Sequence, residues 1–201
     1  MYLSDFFSGA EPEVIGCIRC RNEKPFEVPL KMAFQPILDV ETKTVFAYEA
    51  PVRGANGASA AEVLGSVGPD EMYVFDQTCR VLAIDTAKRL GMQSYLSINF
   101  LPNAVYEPAA CIRLTLAAAR KVDFPPEKII FELTESEKIR RPEHALRIIK
   151  DYQQRGFLTA IDDFGAGYSG LNLLADFQPH LVKLDMALTR DIDSDLARRA
   201  I

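Results

Sequence analysis

The chain has 201 residues, of which 48% are hydrophobic and 25% are charged, as in an ordinary globular protein. Its net charge of −5 at pH 7 offers no basic surface to neutralise phosphates, which argues against a nucleic-acid polymer as the main partner. No apolar run is long enough to cross a bilayer, and residues 1–10 lack the basic and apolar regions of a signal peptide. We therefore expect a cytoplasmic protein without a membrane segment, whose four cysteines are free thiols.

Residues 1–30 are predicted to form an irregular appendage, because glycines and prolines interrupt any periodicity there. The appendage contains a CxxC motif at Cys17 and Cys20. A structural zinc site normally needs four ligands, and no second Cys or His pair lies nearby. Two ordinary thiols are the favoured interpretation, with a zinc knuckle shared across a dimer or a thiol switch as alternatives. Residues 31–201 are expected to form one domain.

Short β-rich runs alternate with helical patterns throughout that domain. Strands are predicted at 32–40, 45–53, 94–100, 128–134, 158–163 and 181–186, and helices at 76–90, 108–122 and 142–155. Only residues 41–44 join the first two strands, which is too short for a crossover and predicts an antiparallel hairpin. The following β-α repeats predict parallel strands, so the fold class is α/β.

Polar side chains stand at the C-terminal ends of these strands when alternate residues are read along one face. They include Glu49, Asn99, Glu132, Asp162 and, on the last strand, Lys183 with Asp185. In a (β/α) barrel these ends converge on one mouth, where active sites are built. The alternative is a polar plug in which Lys and Arg partners satisfy the carboxylates. The opposite faces, such as Ile129 with Phe131 or Val182 with Leu184 and Met186, are suited to contact with helices.

Four acidic residues and one amide form a set of oxygen donors without Cys or His, namely Glu49, Asn99, Glu132, Asp162 and Asp163. Such a set suits Mg²⁺ or Mn²⁺ better than Zn²⁺. The adjacent Asp162 and Asp163 can face two metals only where strand alternation breaks, and the following Gly-Ala-Gly is the expected break. Two metals would clamp a phosphodiester and activate water. Lys183 would hold that water or stabilise phosphoryl oxygens, and it is also a possible partner for Asp185.

Six stretches resemble the motifs of the EAL domain family, in the family's order. They are Gln35-Pro36-Ile37, Glu49-Ala50-Pro51-Val52-Arg53, Ser97-Ile98-Asn99, Phe131-Glu132-Leu133-Thr134-Glu135, Asp162-Asp163-Phe164-Gly165-Ala166-Gly167-Tyr168-Ser169 and Lys183-Leu184-Asp185. The resemblance covers roughly residue 32 to the end of the chain. It implies a TIM-type (β/α) barrel with an antiparallel first strand that hydrolyses cyclic di-GMP to linear pGpG. It also implies two Mg²⁺ or Mn²⁺ ions per site, inhibition by Ca²⁺, and a possible homodimer.

The resemblance also assigns roles to individual residues. The metal ligands would be Glu49, Asn99, Glu132, Asp162 and Asp163, the substrate contacts Gln35, Arg53 and Asp185, and the catalytic residues Lys183 and Glu135. Arg53 would contact a phosphate, and Lys183 would assist the nucleophilic water. Glu135 would brace the loop after Asp162 and Asp163, a loop linked in this family to dimerisation and metal occupancy.

Two departures from the family pattern qualify this resemblance. Pro51 replaces the usual Leu of the signature tripeptide, which removes a backbone donor beside Glu49. The family's last two strands, with an AEGVE-like and a QGY-like motif, are absent from these 201 residues. We therefore expect an incomplete barrel that hydrolyses cyclic di-GMP poorly. The alternatives are a catalytically impaired cyclic di-GMP-binding or protein-interaction module, or a fragment whose barrel a partner chain completes.

Overall fold

The structure is a computed structural model that describes residues 6–7, 26, 28–105, 107–134, 142–166, 174–176 and 178–200. The strands are β1 (Leu30–Met32), β2 (Gln35–Asp39), β3 (Thr44–Glu49), β4 (Val52–Gly54), β5 (Tyr95–Asn99), β6 (Ile129–Thr134), β7 (Leu158–Phe164) and β8 (Leu181–Leu184). The α-helices are α1 (Ala60–Ser66), α2 (Met72–Arg89), α3 (Pro108–Val122), α4 (Pro142–Gln154), α5 (Met186–Thr189) and α6 (Leu196–Ala200). Short 3₁₀ turns cover Pro102–Ala104 and Pro126–Lys128.

The central sheet has six strands in the order β2-β3-β5-β6-β7-β8. The β2–β3 pair is antiparallel, and every later pair is parallel. Among the described residues, no pairing joins β8 back to β2, so the sheet is open. These observations confirm the predicted α/β fold, its antiparallel first strand and its incomplete barrel.

The two faces of the sheet are packed as the alternation predicts. Ala47, Ile130 and Ala160 form a small inner cluster on the barrel side. On the other side, Ile129 and Phe131 are fully buried in the main core with the helices. Residues along β6 therefore alternate between the two sides, with Ile130 in the inner cluster and Ile129 and Phe131 in the main core.

The predicted strands at 32–40 and 45–53 are each divided in two, and Pro51 marks the division of the second. The Ala50 amide still donates to Ser97 O at 2.9 Å, but Pro51 has no amide hydrogen with which to extend the ladder. Its carbonyl instead accepts from Ala33 N at 3.0 Å, and β4 pairs with β1 in a separate two-stranded sheet. Arg53 lies on β4, so its expected position on the second barrel strand is wrong.

The helix ends follow local backbone chemistry. Helix α2 begins at Met72, earlier than predicted, directly after a turn in which Gly68 N donates to Glu71 Oε2 at 3.1 Å. Helix α1 was not predicted, although Ser59 and Glu62 form a capping box, which is a sequence signature of a helix N-terminus.

The buried Cys79 on α2 and Cys111 on α3 are free thiols, as expected. No described helix is both long and apolar enough to span a membrane.

The described part of residues 1–30 packs on the barrel. Phe6, Phe7 and Phe26 are buried in the main core, and the Phe26 and Phe75 ring centroids lie 5.3 Å apart. The CxxC motif lies outside the described residues.

The outer face of β8 is exposed, which corrects one expectation. Val182, Leu184 and Met186 were predicted to contact helices, yet they are 40%, 55% and 67% exposed. The helical layer that covers β7 does not extend over β8 in the part of the chain that the structure describes.

The neighbouring residues Ile161 and Val182 test this difference, because they are paired in register on β7 and β8. Ile161 is fully buried, so Ile161→Ala should lower the free energy of unfolding by about 2–5 kcal/mol. Val182→Ala removes exposed surface and should change it by roughly 0.5 kcal/mol or less. Urea denaturation of both variants checks the prediction, and equal losses would contradict the described coverage of β8.

Candidate functional site

An ammonium group surrounded by three carboxylates lies at the C-terminal ends of the strands. Lys183 Nζ lies 2.8 Å from Glu49 Oε2, 3.0 Å from Glu132 Oε2 and 3.0 Å from Asp162 Oδ1. One carboxylate oxygen from each of the three acids lies within 4.8 Å of the others. The residues were predicted separately on four strands, and the structure brings them together.

Strand register explains this convergence. Glu49 is paired with Ser97, Asn99 with Glu132, and Thr134 with Asp162, so these inner-face side chains shift by no more than two residues from one parallel strand to the next, as the tilted strands of a barrel require. The Asn99 amide lies 3.5 Å from Glu49 Oε1. Ser97, which is fully buried, donates to Glu132 Oε1 at 2.5 Å.

Ser97 is therefore a functional contact to which sequence reasoning gave no role of its own. The available signal was its place on the same strand face as Asn99. With Ser97 on one oxygen and Lys183 on the other, the Glu132 carboxylate is fixed in orientation.

The break in strand alternation falls at Asp163, two residues before the expected Gly165. Asp163 has a φ of 53°, and the β7–β8 register shifts between Ile161 and Phe164. Asp is among the few non-glycine residues that adopt this left-handed region with any frequency. Because the alternation breaks here, the adjacent Asp162 and Asp163 both line the same cavity, as a site with two positions for cations requires.

Burial and charge act together on the pKa values of these groups. Burial raises the pKa of Glu132, and the nearby Lys183 charge only partly offsets the effect. Burial, followed by the charges of Asp162 and Asp185, raises the pKa of Asp163. Burial alone would lower the pKa of Lys183, but the Glu132 charge and hydrogen bonds to the acids raise it instead. Lys183 is therefore a firmly protonated counter-ion.

The negative charge of the site exceeds what Lys183 balances. Five carboxylates lie in the cluster or influence it electrostatically, against the single ammonium of Lys183: Glu49, Glu132, Asp162, Asp163 and Asp185. All donors are oxygens, and three of them already converge within 4.8 Å. This donor set fits a hard divalent cation.

The predicted substrate contacts lie around the cluster in different settings. Gln35 is exposed and directly opposite Glu49 in the β2–β3 pair. Asp185 accepts from Ala187 N at 2.6 Å and caps α5. The Arg53 guanidinium donates to Val52 O at 2.8 Å. Glu135 lies outside the described residues.

A cavity of about 290 Å³ opens beside the carboxylates. Its polar side carries Glu49, Asn99, Asp162 and Asp163. The lining also includes apolar residues from β4, α1 and α2, among them Val52, Leu64, Phe75 and Cys79, together with the buried carboxylate of Asp76. Apolar side chains next to a cation site suit a ligand that combines phosphate with an aromatic group.

The sequence match to a known family decides the identity of this arrangement. The EAL domain profile matches residues 28–201. The chain belongs to the EAL domain family. The family assignment and the expected resemblance are thereby confirmed.

Individual relatives agree with the EAL assignment. A standalone versatile EAL protein from Vibrio cholerae O395, solved in a c-di-GMP-bound form, is 54% identical with a TM-score of 0.83, covering 87% of this chain and 74% of that one. Klebsiella pneumoniae BlrP1, solved as a manganese/cy-diGMP complex at pH 9.0, is 32% identical with a TM-score of 0.80, covering 87% of this chain and 45% of that one.

A third relative is named as a regulatory protein. The blue light- and temperature-regulated antirepressor BluF of Escherichia coli K12 is 34% identical over 170 residues, which is 84% of this chain. The EAL chain described here spans 42% of the length of BluF.

The counter-ion role of Lys183 can be tested without a metal. Lys183→Met leaves three converging carboxylates unbalanced, and should lower the free energy of unfolding in metal-free buffer by about 1–3 kcal/mol. Lys88→Met is the control, because Lys88 pairs with the exposed Asp123 at 3.3 Å and should cost about 0–1 kcal/mol. Urea denaturation in the presence of a chelator measures both. A Lys183→Met protein as stable as the wild type would show that the carboxylates do not need the ammonium.

Proposed function

We propose that this EAL domain is a metal-dependent phosphodiesterase that hydrolyses cyclic di-GMP to linear pGpG. The observation that carries the proposal is the convergence of Glu49, Glu132 and Asp162 on one point at the strand ends. It is supported by the 54% identity to the Vibrio cholerae protein, whose structure is a c-di-GMP-bound form. The neighbouring cavity has the mixed character that a nucleotide ligand requires.

Glu49, Glu132 and Asp162 would hold the first metal ion, and Asn99 with Asp163 would complete a site for two. Mg²⁺ or Mn²⁺ would neutralise phosphate charge there and lower the pKa of a water. The BlrP1 complexes contain manganese in one case and calcium in another, which supports a site of oxygen donors. Ca²⁺ is expected to occupy the site and inhibit turnover, because its coordination is looser.

The chain's own polar groups would contact the attacking water and the ligand. Lys183 would donate from Nζ to the attacking water or to a phosphoryl oxygen, since its surrounding carboxylates raise its pKa and favour the ammonium form. Arg53 would contact a phosphate, and Gln35 and Asp185 would contact other parts of the ligand. Glu135 would support the loop after Asp163.

A second candidate function is a module that binds cyclic di-GMP or a protein partner without hydrolysis. The name of BluF, an antirepressor, favours it, because that relative is 34% identical to this chain. A module that binds cyclic di-GMP would share the ligand site with the enzyme and differ from it only in turnover. They are therefore separated by measuring binding and product formation on the same sample.

The variant Asp162→Asn tests the proposed enzyme. It removes a charged oxygen donor while keeping the side-chain shape, so Mn²⁺ affinity should fall at least tenfold, which is about 1.4 kcal/mol. Production of pGpG from cyclic di-GMP should fall at least as far. Calorimetric titration and chromatography measure the two quantities.

The control is Asp151→Asn, because Asp151 forms an ion pair with Arg155 at 2.7 Å on α4. It should leave metal affinity and turnover unchanged. If cyclic di-GMP raises the melting temperature of the wild type in Ca²⁺ but yields no pGpG in Mn²⁺, the binding module replaces the enzyme. Equal stabilisation by GMP or cyclic AMP would contradict the ligand assignment in both candidates.

A further inference from the structure

A buried ion pair lies on α2, on the helical side of the sheet behind the carboxylate cluster. Arg80 is 0% exposed and Asp76 is 3% exposed. Arg80 Nη2 lies 2.7 Å from Asp76 Oδ2, and Gln77 Nε2 donates to the same oxygen at 3.1 Å. A buried ion pair is weak evidence for stability, since apolar residues of similar volume often serve the fold as well. The contacts of the second carboxylate oxygen of Asp76 indicate another role.

That second oxygen, Asp76 Oδ1, accepts the backbone amide of Leu101 at 3.0 Å. Leu101 stands two residues after the candidate ligand Asn99, where the chain leaves β5. Between them, the Phe100 amide donates to Glu132 O at 3.0 Å and ties the same turn to β6. The amide of Leu101 is thus held by a side chain of α2, because the sheet no longer supplies an acceptor at this point.

Arg80 holds Asp76 in place from the other side. Its Nη1 donates to the Tyr152 hydroxyl at 3.0 Å, and its guanidinium carbon lies 5.1 Å from the Phe131 ring centroid and 5.7 Å from that of Phe100. Among the described residues, Arg80 Nε and Nη2 make no hydrogen bond of good geometry, so the buried charge of Arg80 is balanced by the 2.7 Å ion-pair contact of Nη2 with Asp76. Phe100 directly follows Asn99, so the pair is packed against the backbone that carries that ligand.

We propose that Asp76 is a positioning residue for the metal site, which acts through the Leu101 amide to fix the backbone at Asn99. Arg80 is the counter-ion that lies against Asp76 and orients its carboxylate. The inference rests on the proposed metal site and adds a residue outside the candidate ligand set, although Asp76 lines the same cavity as Glu49 and Asp162. A purely structural ion pair would affect stability alone, whereas a positioning residue affects metal affinity in a folded protein.

Two double variants isolate the hydrogen bond from the charge. Asp76→Asn with Arg80→Met removes both charges but keeps an oxygen acceptor for Leu101 N. Asp76→Leu with Arg80→Met removes both charges and the acceptor, at similar side-chain volume. The Asn double variant should bind Mn²⁺ within about threefold of the wild type, and the Leu double variant should bind about tenfold more weakly. Calorimetric titration without nucleotide, well below each melting temperature, measures the affinities.

A third variant covers the case in which the Leu double variant does not fold. Asp76→Glu keeps the charge for Arg80 but carries the acceptor one methylene further, so it should weaken Mn²⁺ binding threefold or more in a folded protein. Wild-type affinity in a folded Leu double variant, or in Asp76→Glu, would overturn the positioning role and leave the proposed function intact. Absence of Mn²⁺ binding by the wild type would overturn both.

Discussion

Repulsion among the carboxylates at the strand ends is the constraint on which the arrangement of this EAL domain depends. Glu132 is almost fully buried, yet it shares Lys183 with Glu49 and Asp162. Such a group of like charges has no stabilising role of its own in a barrel, because burial without full compensation costs free energy. The parallel register and the Ser97 hydrogen bond hold it together from the strand side. These contacts among the chain's own groups fix the positions of the carboxylates.

The sequence was sufficient for the parts of this arrangement that depend on periodicity. Alternation along β3, β5, β6 and β7 identified Glu49, Asn99, Glu132 and Asp162 as one face, because side chains in a strand alternate strictly. The four-residue link before β3 required an antiparallel hairpin, and the longer helical links allowed parallel pairs. Elements with a strong period and short connections leave few alternatives, which is why the strand directions were predicted correctly.

Features that depend on the backbone conformation of one residue, or on a partner distant in sequence, were not predictable in the same way. The separation of β4 from the central sheet follows from Pro51, which has no amide hydrogen to extend the hydrogen-bond ladder. The left-handed conformation of Asp163 is local and breaks the period by itself. Asp76 and Arg80 have the spacing of an exposed helical ion pair, and only their burial under Phe100 reveals their role. The exposure of Val182 likewise depends on whether a helix covers β8, which the alternation along the strand does not indicate.

The central claim is that the excess negative charge at the strand ends is a cation site. The most direct measurement is anomalous diffraction at the manganese absorption edge from a crystal of the wild-type protein soaked in Mn²⁺. The account predicts an anomalous peak in contact with carboxylate oxygens of Glu49, Glu132 and Asp162, the acids that Lys183 now bridges. A crystal that shows no peak there at saturating Mn²⁺, with Lys183 still in contact with all three carboxylates, would contradict it.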